Sequence, residues 1–267
     1  MIARLGRSLA APLLALAAWE VACRALHLSP NVLPPPTQVM RKLWEYLLPG
    51  QPFDGSTSRL AWLVSGELPH DAVATLWRVL VGFAIGASLA LPLGLWMGAR
   101  AKAYQFWNPL VQVVRPIPPI AFIPLSILWF GLGNPPAYFL IALGAFFPVL
   151  VNTIAGVRGV DAIYVRAARN LGATPLVLFR RVLFPGAMPS ILAGLRIGVG
   201  VAFIVVIVAE MIAVNSGLGY RILEAREYFW SDKIIAGMIS IGLIGLAIDS
   251  GMGRLNDHLL RWHRGLE

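Results

Sequence analysis

Few residues in this chain are placed to do chemistry. The four histidines, His27, His70, His258 and His263, have no spacing that would let imidazoles share a metal ion. No Gly-x-Ser-x-Gly elbow presents a serine nucleophile, and no Gly-x4-Gly-Lys-Ser/Thr loop offers the usual cradle for ATP phosphates. What remains is a set of isolated charges inside apolar stretches: Arg78, Arg115, Glu210 and Asp249. A charge at membrane depth costs at least about 2.5 kcal/mol and therefore faces a partner or an aqueous path. Arg115 can attract an anion travelling such a path. It can equally be half of a structural pair or snorkel to an interface. Glu210, Arg78 and Asp249 carry the same alternatives.

The elements that hold these charges are set by composition. Of 267 residues, 58% are hydrophobic and 13% charged, and mean hydropathy is +0.72. Soluble domains carry roughly 25% charged residues, so this is an all-α, polytopic membrane protein. The net charge of +9 would suggest nucleic acid in a soluble chain. Here the positive-inside bias of cytoplasmic loops accounts for it, and no basic-aromatic platform for nucleic acid is present. The single cysteine, Cys23, cannot form an intrachain disulfide and reads as a small buried hydrophobe.

Stretches of about 20 apolar residues, the length that crosses a bilayer core, occur about six times: near 8–27, 72–99, 105–131, 136–156, 190–213 and 233–254. The first resembles the charged and hydrophobic regions of a secretory signal, but Trp19, Glu20 and Arg24 interrupt the cleavage position, so it reads as a retained helix. The third contains Pro116, Pro118, Pro119 and Pro124 and is expected to kink or break, with its freed carbonyls turned inward. Lys and Arg cluster at one set of helix ends: Arg4 and Arg7, Arg100 and Lys102, Arg158 to Arg181, and Arg254 to Arg264. Those ends, and both termini, are predicted to be cytoplasmic. Two domains are expected: 1–70, a first membrane helix with a periplasmic amphipathic connection, and a core over 71–264. In the connection Thr37 reads as the N-cap of an amphipathic helix running to about Leu47, and Asp71 as the N-cap of the second span. Phe146 and Phe147 beside Pro148 are candidates to gate a pore, against a default of simple packing.

The segment 157–189 is basic and patterned as two short helices outside the membrane. Asp161 can cap a first helix running to Leu171, with Gly172 at its left-handed C-terminal position. Thr174 followed by Pro175 is a second N-cap with proline at N1, and the helix it starts is expected to stop before Pro185. Ala167 and Ala168 form a small-residue surface that permits close approach by a partner, ringed by Arg166, Arg169, Arg180 and Arg181. Ile163, Leu171, Leu176 and Phe179 add apolar contact.

Arg166-Ala167-Ala168, then Gly172, then Val182-Leu183-Phe184-Pro185 resembles the EAA loop of ABC-importer permeases, whose pattern is Glu-Ala-Ala, three residues, Gly, nine residues, Ile-x-Leu-Pro. Arg166, Val182 and Phe184 depart from it. The runs Arg115-Pro116-Ile117-Pro118-Pro119-Ile120, Trp129 to Gly133, Ala209-Glu210-Met211 and Ser216 to Tyr220 are similar to the nitrate/sulfonate/taurine branch of those permeases. The resemblance covers roughly residues 70–264. It implies a type I importer fold, a homodimer in membrane lipid, two ATP-binding cassette ATPase subunits below and a periplasmic substrate-binding protein above. It makes Arg166, Ala167, Ala168, Arg169, Gly172, Val182, Phe184 and Pro185 the ATPase-coupling residues. The path candidates are Arg115, Pro116, Pro118, Phe147 and Glu210, for a small anion, a sulfonate or taurine before nitrate. No catalytic residue, metal or cofactor is expected in this chain, since ATP and Mg would be used by the ATPase. An ion-coupled secondary transporter would instead show an intramembrane relay of acids or histidines, or inverted repeats. Neither is evident.

Overall fold

The computed structural model describes residues 2–27, with side chains from residue 11, together with 29–49, 58–59, 62 and 65–261. The chain divides into two compact units, residues 1–74 with 216–243, and residues 75–215 with 244–267. All regular elements among the described residues are helical. Four helices are long and apolar enough to cross a membrane, and a broken pair brings the number to as many as five. About six spans were expected. The expected first one, 8–27, overlaps α1 (Ile2–Ala25), which is not among the helices counted as long and apolar enough within the described residues.

In the first unit, α2 (Pro36–Leu47) buries Val39, Leu43 and Tyr46, an i, i+4, i+7 stripe that makes it amphipathic. Trp44 points outward, 65% exposed. Thr37 is not the N-cap. Pro35 holds that position without a side-chain bond, and the Glu20 carboxylate of α1 does the capping from outside, accepting from the Thr37 backbone N–H at 3.1 Å and its hydroxyl at 3.0 Å. Helix α3 (Glu67–Ala99) starts a turn earlier than expected. Asp71 therefore lies inside it, buried, accepting from the Gly217 N–H at 3.0 Å and Arg221 Nε at 2.6 Å. Arg221 belongs to α10 (Leu218–Glu227). Burial opposes its charge, yet the bonds to Asp71 and Glu224 outweigh burial and hold its pKa above the ordinary value. Lys233, at the start of α11 (Ser231–Leu259), pairs with Glu67 at 3.1 Å and lies over the Tyr46 and Trp230 rings.

The second unit is built around α6 (Asn134–Arg158), buried from both sides. On one side, the α3 glycines Gly82, Gly86, Gly94 and Gly98 lie so close to α6 that an added Cβ would come within 2.4 to 2.8 Å of its atoms. On the other, an added Cβ at Gly194 or Gly198 of α9 (Phe184–Ala213) would come within 2.6 and 2.9 Å of it. Small residues that let backbones approach are the usual basis of helix association in lipid.

The third expected span is broken, as its prolines require. α4 (Ala101–Val114) ends at Arg115, a 3-10 turn covers Pro119–Phe122, and α5 (Ile123–Phe130) follows, the two parts bent by 80°. Two contacts show that the pair crosses rather than re-enters. Tyr104 lies under the Arg158 guanidinium, 4.0 Å away, at the C-terminal end of α6. The Gly133 N–H bonds the Ala213 carbonyl at 2.7 Å, next to the N-terminus of α6. The chain between these points has traversed the length of α6, about 37 Å.

Candidate coupling and translocation sites

The hairpin after α6 is assembled from local signals. Asp161 Oδ1 accepts from the Ile163 N–H at 2.8 Å and starts α7 (Ala162–Asn170). Gly172 closes it at φ +77°, with the Gly172 N–H on the Arg169 carbonyl and the Ala173 N–H on the Ala168 carbonyl, both 3.0 Å. This is a Schellman closure, and its left-handed residue favours glycine. Thr174 Oγ1 then accepts from the Val177 N–H, and Pro175 opens α8 (Pro175–Leu178).

The second arm does not stop before Pro185. It passes through a π turn, Phe179–Leu183, directly into α9. The reason is geometric. Proline clashes with the carbonyl four residues back in an α-helix. The Phe184 N–H here reaches the Phe179 carbonyl, five residues back, so the widened turn admits the Pro185 ring. Leu171 is 88% exposed, and Ile163, Tyr164 and Leu176 are also uncovered. Arg166, Arg169, Arg180 and Arg181 stand around them in solvent. Tyr164 belongs to this surface although no motif points to it. Val182 and Phe184 lie at the π turn and beside Pro185, at the root of the hairpin rather than on the Ala167–Ala168 surface.

Deep in the second unit, Arg78 of α3 donates to Glu210 Oε1 of α9 and to Asn134 Oδ1 of α6, each at 2.7 Å. The Thr75 hydroxyl, one turn before Arg78, lies 2.8 and 2.9 Å from the two Glu210 oxygens. Glu210 is fully buried. Of the two sequence readings for it, the geometry is that of a structural pair. Elsewhere in this unit, Arg196 and Asp249 form a two-pronged pair, 2.7 and 2.6 Å. Neither Asn134 nor Arg196 was singled out in the sequence; the only signal was that Arg78 and Asp249 each required a partner.

Arg115 differs from both. It caps α4 through its backbone N–H, its side chain is exposed, and it has no ion-pair partner among the described residues. It borders a cavity of about 280 Å³ with Phe147, Pro148 and Asn152 of α6 and Ile197 of α9. These residues lie at the middle of their helices, so the cavity is at mid-span. Phe147 lines it and stacks edge-on against Phe146 at 5.2 Å. Pro116 and Pro118 form the exposed break beside it. The site is concave and bears one uncompensated positive charge.

Residues 90–264 match the family described as the binding-protein-dependent transport system inner membrane component. The chain is 39% identical to a putative ABC transporter permease protein of Methanocaldococcus jannaschii, over 95% of this chain and 90% of that one. It is 35% identical to the taurine transport system permease protein of Escherichia coli, over 92% and 85%. Its fold matches a structure of inward-facing conformations of the MetNI methionine ABC transporter with a TM-score of 0.65 at 19% identity, covering 76% of this chain and 99% of that one. A multi-pass membrane protein with this helix order and an exposed hairpin between spans is an ABC-importer permease subunit. The chain belongs to the binding-protein-dependent transport system inner membrane component family.

Proposed function

We propose that this subunit forms the passage for a small organic anion, a sulfonate such as taurine before nitrate or a similar ion, across a bacterial cytoplasmic membrane. A soluble periplasmic receptor delivers the solute, a second copy of the chain completes the passage, and separate ATPase subunits grip the hairpin 161–185. The observation that carries the reading is Arg115. Each of the other intramembrane charges discussed above is matched by an opposite one, while this guanidinium stands alone in a mid-span cavity. An unmatched charge at that depth is tolerable where water or a passing counter-ion reaches it. The resemblance to a taurine permease supports the sulfonate.

In this reading the end carrying Arg100, Lys102 and Arg158 is cytoplasmic. ATP binding draws the two hairpins together, and the attached spans tilt so that the cavity opens toward the receptor. Affinity of ATP for the closed arrangement supplies the bias between the two states. The chain itself forms and breaks no bonds.

The test is ATP-driven uptake of labelled taurine into proteoliposomes holding the permease, its ATPase and its receptor. Arg115→Gln is expected to reduce uptake at least ten-fold while Arg115→Lys retains most of it. Equal uptake by wild type and Arg115→Gln, or uptake driven by an ion gradient without ATP, overturns the proposal.

A further inference from the structure

A second cavity, about 960 Å³, opens between the hairpin and the adjacent ends of α3 and α4. Its rim carries Arg100, Lys102 and Arg169, and no carboxylate among the described residues lines it. None of the three cations has an ion-pair partner among the described residues. The walls are apolar, with Trp96 of α3 and Leu176 and Phe179 of the second hairpin arm.

The order of these residues fixes the depth of the cavity. Arg100 and Lys102 directly follow the apolar span of α3, and basic residues at that position mark the end of a membrane helix. Trp96 lies one turn further in, 47% exposed, the position at which tryptophan marks a membrane interface. The cavity therefore runs from a triply positive rim at headgroup level to an apolar wall at the level of the first acyl carbons. A soluble anion would satisfy the rim and leave the wall wet. A ligand with a phosphate head and an apolar body satisfies both, and basic pockets at such interfaces bind anionic lipid headgroups.

We infer that this cavity is a binding site for one anionic phospholipid, whose phosphate bridges Arg169 of the hairpin to Arg100 and Lys102 at the ends of the spans. The lipid ties the coupling hairpin to the bilayer, so transport depends on anionic lipid as well as on ATP. The inference rests on the geometry of the cavity and holds whichever solute is carried.

The experiment is a lipid titration of the full-length permease in its detergent-extracted complex, read by native mass spectrometry with phosphatidylglycerol and, separately, phosphatidylcholine. Phosphatidylglycerol is expected to remain bound and phosphatidylcholine to be lost. The triple variant Arg100→Gln, Lys102→Gln, Arg169→Gln is expected to weaken phosphatidylglycerol binding roughly 100-fold. The corresponding variant keeping charge, with Arg100→Lys and Arg169→Lys, is expected to bind within a few-fold of wild type. Because all three side chains are exposed, the neutral variant retains the fold, which its unfolding temperature checks. Equal binding by the neutral variant, equal retention of both lipids, or displacement by millimolar inorganic phosphate or glycerol phosphate each overturns the lipid assignment. So does a site that empties of lipid whenever the ATPase is bound, which makes the ATPase its occupant.

Discussion

Arg78 and Glu210 meet at 2.7 Å across 132 residues of sequence, with side-chain exposures of 6% and 0%. A pair enclosed in this way contributes little net stability, because desolvation offsets the attraction, but removing one partner strands the other. Glu210→Ala is expected to cost about 3–5 kcal/mol, seen as a sharp fall in unfolding temperature and membrane yield. The double variant Arg78→Met, Glu210→Leu is expected to recover much of it. A double variant no better than the single one would mean that the remaining partners, Thr75 and Asn134, require the charges.

The hairpin makes a different prediction, because its apolar residues are uncovered and contribute little to the stability of the chain alone. Leu171→Asp is expected to leave the stability within about 0.5 kcal/mol of wild type while abolishing solute-stimulated ATP hydrolysis in the assembled transporter. Gly172→Val acts through the backbone. At φ +77° a β-branched residue costs about 1–2 kcal/mol, so coupling is lost with a modest drop in stability. Normal coupling in both variants would remove the docking role of this surface.

Close packing of α3 on α6 is tested at Gly86. An added Cβ would lie 2.4 Å from the Ala142 carbonyl oxygen, a backbone atom that cannot swing aside. Gly86→Ala is expected to destabilise by about 1–3 kcal/mol. At Gly200 the same atom meets nothing within 4 Å, and Gly200→Ala is expected to be neutral or slightly stabilising. Thermal unfolding of the two variants side by side gives the comparison.

Tyr46 is buried with no hydrogen-bond partner for its hydroxyl among the described residues. Burial, with Glu67 nearby, raises its pKa above the usual tyrosine value. A phenol raised on folding keeps its full contribution below about pH 10, the unfolded value, and loses it as pH rises beyond that. Tyr46→Phe removes the unsatisfied hydroxyl. It is expected to match or exceed wild type by about 1 kcal/mol at neutral pH and to flatten the loss of stability above pH 10. A large destabilisation at neutral pH would show that the hydroxyl has a partner.

How far the sequence could be read follows from how far apart the interacting residues lie. Asp161, Gly172 and Thr174–Pro175 were legible because each acts on backbone groups within four residues. The break at Pro116–Pro119 was legible for the same reason. Thr37 and Asp71 were misassigned as caps because their partners, Glu20 and Gly217 with Arg221, come from distant helices. The stop expected at Pro185 failed because a proline rule for an α-helix does not hold once a π turn widens the backbone. The charges Arg78, Glu210 and Asp249 announced that partners existed, but which residues would meet was decided by the packing of α3, α6 and α9. Arg115 was singled out by type alone, and only its surroundings separate it from the paired charges.

The π turn at Phe179–Leu183 has a mechanical result. Because it joins the second hairpin arm to α9 without a loop, Pro175–Ala213 is one rod of 39 residues, about 58 Å long. In the proposed reading, a push on the hairpin enters this continuous helix directly and not through a loop, so it is carried along the shaft. The mid-span cavity, whose wall includes Ile197 of that shaft, is in that reading geared to whatever grips the hairpin.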